Sequence, residues 1–431
     1  MSDKPEGRRP TNRLALLPKT ELGRLSRVLD QMLDHDVAEY HLTVPGSGRI
    51  NSTQGSYDKC ATIINGLFPL KEVINPHELA QAFKRQSTPR SIWGLAPRAP
   101  MHLGYDRFIL KQLDLIRSGC LHTVLLADLE VGLTSPHLDE ADLSLRSAYY
   151  QEAMSAVFGL SEAEFCPRSS FQFDRDYISH LMRTLSDVRV LRAYRATPGG
   201  ATDSAHLVMW QSKGTAAVPK YQEFPADISD RDLASLVYPV MQALDAYHQR
   251  ADIVLGDFGQ KQIYANIGRD NKLRQLLAFD ENQSVPVLLF LENSSDILGK
   301  PMVKSKQADR ITFHETPETL RHKINRIVAP EFIVDCNPLI EICRYSVLPW
   351  IKEPLIICRK KSRPIEVSTL DELANDYRLG HIHPSDLKTS ILEPLRLRID
   401  TFQQHFAQAD KRHLVSWIDV KSNIENCLES E

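Results

Sequence analysis

The stretch Ser91–Glu130 reads SIWGLAPRAPMHLGYDRFILKQLDLIRSGCLHTVLLADLE. Its first part, SIWGLAP at 91–97, predicts a short strand. A Pro-containing turn follows, and His102-Leu103-Gly104 stands at the mouth of the next element. Residues 108–118 predict a helix with Leu110, Leu113 and Ile116 on one apolar stripe, stopped by Gly119. LHTVLLADL then predicts a buried strand. Strand, glycine turn, helix and strand in this order open a doubly wound α/β fold with a parallel sheet of the nucleotide-binding, Rossmann-like kind. A histidine and a glycine at a helix mouth suit an anion. The imidazole can donate to a phosphate oxygen, glycine lets a ligand approach the backbone, and the helix start carries positive potential. Standing alone, such a triplet is more often a core histidine beside a helix-starting glycine.

Working outward, ADIVLG at 251–256 and PVLLFLE at 286–292 predict further parallel strands. Residues of about 145–225 hold helical stretches and the loop ATPGGATDS, and read as a helical insertion. Upstream, helices are predicted over 57–68 and 76–86, with Asn75-Pro76 supplying N-cap and N1 chemistry to the second. Residues 1–56 form an N-terminal extension, charged and Pro-containing to about 13. Helical periodicity then runs through Leu22, Leu25, Val28, Leu29 and Leu33 into the linker TVPGSGRINSTQGS. A catalytic domain is expected over 57–311. The runs TPETLRHKINRIV, NPLIEICRYSVLPWI and HPSDLKTSILEPLRLRIDTFQQHF predict a helical C-terminal domain and tail over 312–431. There are no internal repeats.

The 431 residues suffice for two or three domains, and 42% hydrophobic with 25% charged residues is ordinary for a soluble chain. A net charge of -3 gives no overall basic field, so no DNA partner is expected and RNA contact must come from local patches. Seven cysteines without a Cys-x-x-Cys pair suggest reduced thiols in a cytoplasmic protein, with no zinc site or other metal site. The polar N-terminus lacks an apolar signal core and no run approaches a membrane span, so no membrane partner is expected.

Several further segments carry a resemblance. IWGLAPRAPMHLGY and LLADLE resemble the first strand, His-Ile-Gly-His signature and next strand of class I aminoacyl-tRNA synthetases of the tyrosyl type, in their archaeal and eukaryotic branch. YPVMQALD (238–245) and ADIVLGDFGQKQI (251–263) resemble that family's amino-acid pocket, GKPMVKSK (299–306) its Lys-Met-Ser-Lys-Ser loop, and HPSDLK (383–388) part of its C-terminal domain. The likeness covers roughly 57–406.

The resemblance implies ATP-dependent activation of an aromatic amino acid, tyrosine or an analogue, as its adenylate, and transfer to tRNA. It implies ATP and Mg2+ as cofactors and a homodimer. It places His102, Lys300 and Lys304 in catalysis, and His102, Gly104, Tyr105, Met302, Lys304, Ser305 and Lys306 around ATP. Ile92, Gly94, Tyr238, Gln242, Asp245 and Gln260 fall around the amino acid, with Tyr238, Gln242 and Gln260 on its amine and Asp245 on the phenol. The chain also departs from the family. Tyr105 replaces the second signature histidine, Pro301 the first loop lysine, and Ile92 the tyrosine that accompanies Asp245. Gly259 replaces an acidic residue and Gln262 a lysine.

These departures keep two alternatives open. One is a paralogue that passes the activated acyl group to an acceptor other than tRNA. The other is an inactive RNA-binding or regulatory module. Magnesium follows from phosphate chemistry and not from a ligand motif. SKQADRITFHETPETLRHKINR and CRKKSR (358–363) are basic clusters that could track an RNA backbone, or simply solvated faces. Trp93, Trp210, Trp350 and Trp417 could stack on bases or belong to the core.

Overall fold

A six-stranded sheet organises the chain. The computed structural model describes residues 59–187, 233–264, 285–300 and 306–418, apart from 62, 65–69, 136, 293 and 360–361. The extension 1–56, the glycine-rich loop near 197–204, Trp210 and the loop residues Pro301, Met302, Lys304 and Ser305 lie outside the described residues. Strands β2 (Arg90–Leu95), β3 (Leu121–Leu126), β4 (Glu164–Pro167), β5 (Ile253–Asp257) and β6 (Val287–Leu291) pair in parallel. Their apolar runs suit a sheet covered on both faces; every residue of β6 is buried.

The opening stretch folds as its order of elements implies. Between β2 and β3 lies α2 (Asp106–Arg117), following α1 (Pro76–Arg85) in the chain. Gly119 turns the chain at φ 86, a left-handed conformation that favours glycine. The single stripe expected on α2 is too narrow. Leu113 and Ile116 are only half-buried, whereas Ile109 and Leu115 are sealed, as are Lys111, Gln112 and Asp114. Lys111 tolerates burial because its Nζ donates to Ile63 O at 2.9 Å and lies 3.1 Å from Asp114.

Two other expectations change, and one strand is added. Asn75 precedes α1 as expected, but it sits at φ 58 and its side chain does not cap the helix; Nδ2 donates to Pro286 O at 3.3 Å. The expected insertion is in part sheet, because Glu164–Pro167 forms the edge strand β4 on β3. The opposite edge is β1 (Glu72–Ile74), antiparallel to β6 and unannounced by so short a run.

Helices α3 (Asp128–Thr134), α4 (Glu140–Glu152), α5 (Arg175–Asp187) and α6 (Leu233–His248) complete the sheet's cover. The C-terminal part holds α7 (Pro317–Arg326), α8 (Pro338–Ile342), α9 (Leu370–Arg378) and α10 (Pro384–Phe406). It is not purely helical, since β7 (Leu355–Ile357) pairs with β8 (Ile365–Val367). The long α10 buries Leu387, Ile391, Leu395, Ile399, Phe402 and Phe406, a repeat that makes one helical face. Phe158 meets Phe313 at 4.9 Å and Phe402 at 5.8 Å between ring centroids, so this part shares a core with the sheet region. Both terminal nitrogens of Arg398 donate to the buried Asp106 at 2.9 Å, tying α10 to the first residue of α2.

From β2 the chain steps one way to β3 and β4 and the other way to β5 and β6. The crevice at the carboxyl ends of β2 and β5 is therefore the topological switch point, where open α/β sheets bind ligands.

Candidate active site

His102 follows β2 into this crevice. Its backbone is extended (φ -137, ψ 165), and its Nδ1 accepts the Gly104 N–H at 3.1 Å. The neutral ring therefore carries its proton on Nε2, where it can donate to a ligand. Burial, with Arg310 and Arg107 nearby, pushes the imidazole down to about 3, so it is neutral at ordinary pH. The turn is braced from below. Leu103 N donates to Ile311 O at 2.9 Å and Phe313 N to Met101 O at 3.0 Å. The Tyr105 ring lies 4.6 Å from that of His102, and Tyr105 Oη is 3.2 Å from Tyr150 Oη. Tyr150 in turn donates to Ala99 O at 2.5 Å. Tyr105 thus supports the turn from the side.

Leu103 and Gly104 line a cleft with Arg107, Ser294, Asp296, Arg310 and Tyr345. Ser294 Oγ donates to Gly104 O at 3.5 Å. Arg107 is 4% exposed, and its Nε and Nη2 make no hydrogen bond with the protein. Asp296 anchors the entry to loop 301–305. Its Oδ1 accepts from Leu298 N and Lys300 N, both at 2.9 Å, while its own N donates to Lys300 O at 2.8 Å. On the far side Asp309 N donates to Lys306 O at 3.0 Å. Lys300 and Lys306 are both exposed at the two ends of that loop.

Tyr238, Gln242 and Asp245 recur at four and three along α6, so they share one face. Gln242 is buried and its Nε2 donates to Tyr264 Oη at 2.8 Å. Gln260 sits at the end of β5 in a reciprocal cap: its N donates to Asp257 Oδ1 at 2.9 Å, and its Oε1 accepts from Asp257 N at 3.2 Å. Ile92 and Gly94 form the β2 wall. Asp245 is 1% exposed and surrounded by protein donors. Oδ1 accepts from Gln172 Nε2 at 2.9 Å and Tyr177 Oη at 2.8 Å, and Oδ2 lies 3.0 Å from Arg168 Nε. Burial raises the Asp245 carboxyl above its ordinary value, against the pull of Arg168. Desolvation is the largest influence on Arg168 and opposes its charge, but Asp245, Tyr238, Tyr264 and Glu130 together outweigh it and hold the guanidinium well above its ordinary value. An arginine stays charged in proteins, so the two form an ion pair.

The structure thus brings together His102, Gly104 and Tyr105 as one group, and Ile92, Gly94, Tyr238, Gln242 and Asp245 as another, with Gln260 at the end of the neighbouring strand. It also adds residues the sequence reading missed: Arg107, Arg168, Gln172, Tyr177, Tyr264 and Arg310. Arg168 had one available signal. It immediately follows β4, at the carboxyl edge where this class of sheet binds ligands.

Fold and site together define a nucleotide-binding domain of the class I synthetase kind. The family of tRNA synthetases class I (W and Y) matches residues 84–397, and the chain belongs to that family. It is 27% identical over 334 residues to the tyrosine–tRNA ligase of Archaeoglobus fulgidus, covering 77% of this chain and 93% of that protein. It is 30% identical over 333 residues to that of Natronomonas pharaonis, covering 74% and 86%. The structure resembles the crystal structure of the A. fulgidus tyrosyl-tRNA synthetase complexed with L-tyrosine, with a TM-score of 0.66, 25% identity, and coverage of 81% of this chain and 99% of that one.

Proposed function

We propose that the protein activates an α-amino acid with ATP and transfers the acyl group to tRNA. The observation that carries this is His102 at the switch-point crevice, neutral and with its Nε2 proton free of the Gly104 bond that fixes the ring. In activation the amino-acid carboxylate attacks the α-phosphorus, and the bond to the pyrophosphate oxygen breaks. No enzyme nucleophile is required, so catalysis consists of positioning and of stabilising phosphate charge. His102 donates to a phosphate oxygen as charge develops there. Gly104 and Ser294 shape the cleft for the nucleotide, and Arg107 and Arg310 supply positive potential. Lys300, Lys304 and Lys306, with Met302 and Ser305, act on the pyrophosphate from loop 299–306. Tyr238, Gln242 and Gln260 present hydroxyl and amide groups to the α-ammonium.

The donor set fits a triphosphate. Among the described residues no cluster of three or more His, Cys, Asp or Glu is arranged to hold a metal. Mg2+ would be held by the nucleotide's own oxygens and would neutralise phosphate charge. The tRNA falls to the C-terminal part, where Arg359 and Arg363 flank residues 360–361 on the surface. Phe173, Ile178 and Met182 are 70%, 36% and 61% exposed, a patch suited to a second copy of this chain. No helix among the described residues is long and apolar enough to cross a membrane.

The test is ATP–pyrophosphate exchange over the common amino acids, followed by filter binding of total tRNA at several salt concentrations. Exchange with one amino acid class and steeply salt-dependent binding are expected. Absence of exchange with every amino acid would overturn the activation reading. Exchange without tRNA binding at low salt would point to a different acyl acceptor.

A further inference from the structure

We infer that Arg168 sets the substrate specificity of this site, closing the side-chain pocket so that it takes a small uncharged amino acid in place of an aromatic one. The inference rests on the activation reading above.

The Arg168 guanidinium touches residues that the resemblance places around the amino acid: Asp245 on the phenol, Gly94 in the wall and Tyr238 on the amine. Nε lies 3.0 Å from Asp245 Oδ2. Nη1 donates to Tyr238 Oη at 3.3 Å. Nη2 lies against Gly94 so closely that a Cβ on that glycine would overlap it. The arginine is 2% exposed, and its own N donates to Leu126 O at 2.9 Å, which fixes its backbone to the end of β3. The second oxygen of Asp245 is already taken by Gln172 and Tyr177. A phenol entering here would meet the Arg168 guanidinium, which stands between Gly94, Tyr238 and Asp245 and faces the Asp245 oxygen that Gln172 and Tyr177 leave. To admit it, Arg168 must leave, and the buried Asp245 would lose its cation. A buried carboxylate without its partner is strongly disfavoured, enough to weaken binding about a hundredfold or more.

Charge decides among the smaller side chains. The Arg168 charge is matched by Asp245, and Glu130 acts on both Arg168 and Tyr238. An acidic side chain would therefore add a second carboxylate to a pair that is already neutral. A basic one would face the guanidinium. What remains beside Gly94 and the apolar Ile92 is a short neutral side chain, as in glycine, alanine or serine. The backbone-reading groups Tyr238 and Gln242 stay in place for the amine.

The experiment uses the full chain. Calorimetric binding of alanine, glycine, glutamate and tyrosine is measured for the wild type and Arg168→Gly, with pyrophosphate exchange over all common amino acids alongside. A small neutral amino acid should support the fastest wild-type exchange. Tyrosine should bind about a hundredfold more tightly to Arg168→Gly than to the wild type. The double variant Arg168→Gly/Asp245→Asn removes both charges and serves if the single variant does not fold. Wild-type preference for tyrosine over alanine, in binding or exchange, would overturn the inference and leave the activation reading standing. Preferred binding of alanine without any exchange would support the pocket assignment and sink activation. Failure of every amino acid to bind would overturn both.

Discussion

The signature turn and the side-chain pocket lie side by side at the carboxyl edge of one sheet, yet they spend their polar groups differently. At the turn, His102 uses Nδ1 internally and leaves the Nε2 proton for a ligand. In the pocket, Asp245 faces Arg168, Gln172 and Tyr177, and Arg168 faces Asp245 and Tyr238. The turn is polar toward the outside, and the pocket is polar toward itself. Chemistry common to all amino acids can thus be kept while the part that reads the side chain changes. Breaking a pocket whose charges face each other should be felt in folding, whereas losing a donor open to the ligand should be felt in rate.

That contrast can be broken by experiment. The largest effect is expected for Asp245→Leu, which leaves Arg168 charged and buried without its partner. Unfolding in urea should show a loss of about 3–5 kcal/mol. A loss under 1 kcal/mol would mean the pair is not buried as described.

His102→Ala should act on rate and not on stability. It removes one donor aimed at phosphate, which costs about 3 kcal/mol of transition-state stabilisation. Exchange turnover should fall by about 10²–10³ while amino-acid affinity, measured by calorimetry, stays within a few-fold. Equal losses in both would erase the distinction between turn and pocket.

A smaller effect concerns pH. His102 and His122 are both pushed down to about 3 by burial, and His122 sits between Ser91 Oγ and Gln112 Oε1, each at 2.9 Å. Unfolded histidine titrates near 6.5, so below that pH the unfolded chain binds more protons. The stability contribution is fully present above pH 6.5 and declines as pH falls toward 3. Each residue should contribute about 1.4 kcal/mol per pH unit once well below 6.5. Urea midpoints from pH 8 to 5 measure this, and His122→Gln should flatten the slope. A slope that is already present above pH 7.5 would contradict the assignment.

The smallest effect is expected for Asp257→Ala, which removes the cap at the end of β5 that orders Gln260. It should cost about 1 kcal/mol of stability. If Gln260 reads the substrate amine, the Michaelis constant for the amino acid should rise as well.

The strands and the signature turn were legible because their signals are local. PVLLFLE and LHTVLLADL are apolar enough to need burial on both faces, and Gly119 marks a turn only glycine makes easily. The edge strands were not legible. Glu72–Ile74 is three residues long, and Glu164–Pro167 ends in a proline. Both are strands only because β6 and β3 offer them an edge to pair with. The amino-acid pocket was legible in part. The spacing of Tyr238, Gln242 and Asp245 put three polar groups on one face of a helix, but it could not say what would meet them.

The sequence by itself determined the parallel α/β architecture and the His-Leu-Gly turn at its switch point, while its motifs carried only a resemblance to the family. Each rests on contiguous residues whose periodicity or backbone freedom acts over a few positions. Only the tertiary structure decided that Arg168 would meet Asp245 and that Arg398 would clamp Asp106, 292 residues away along the chain. Such pairs carry no local signature, because their stability comes from exclusion of water at a place that exists only once the sheet and its covering helices have assembled.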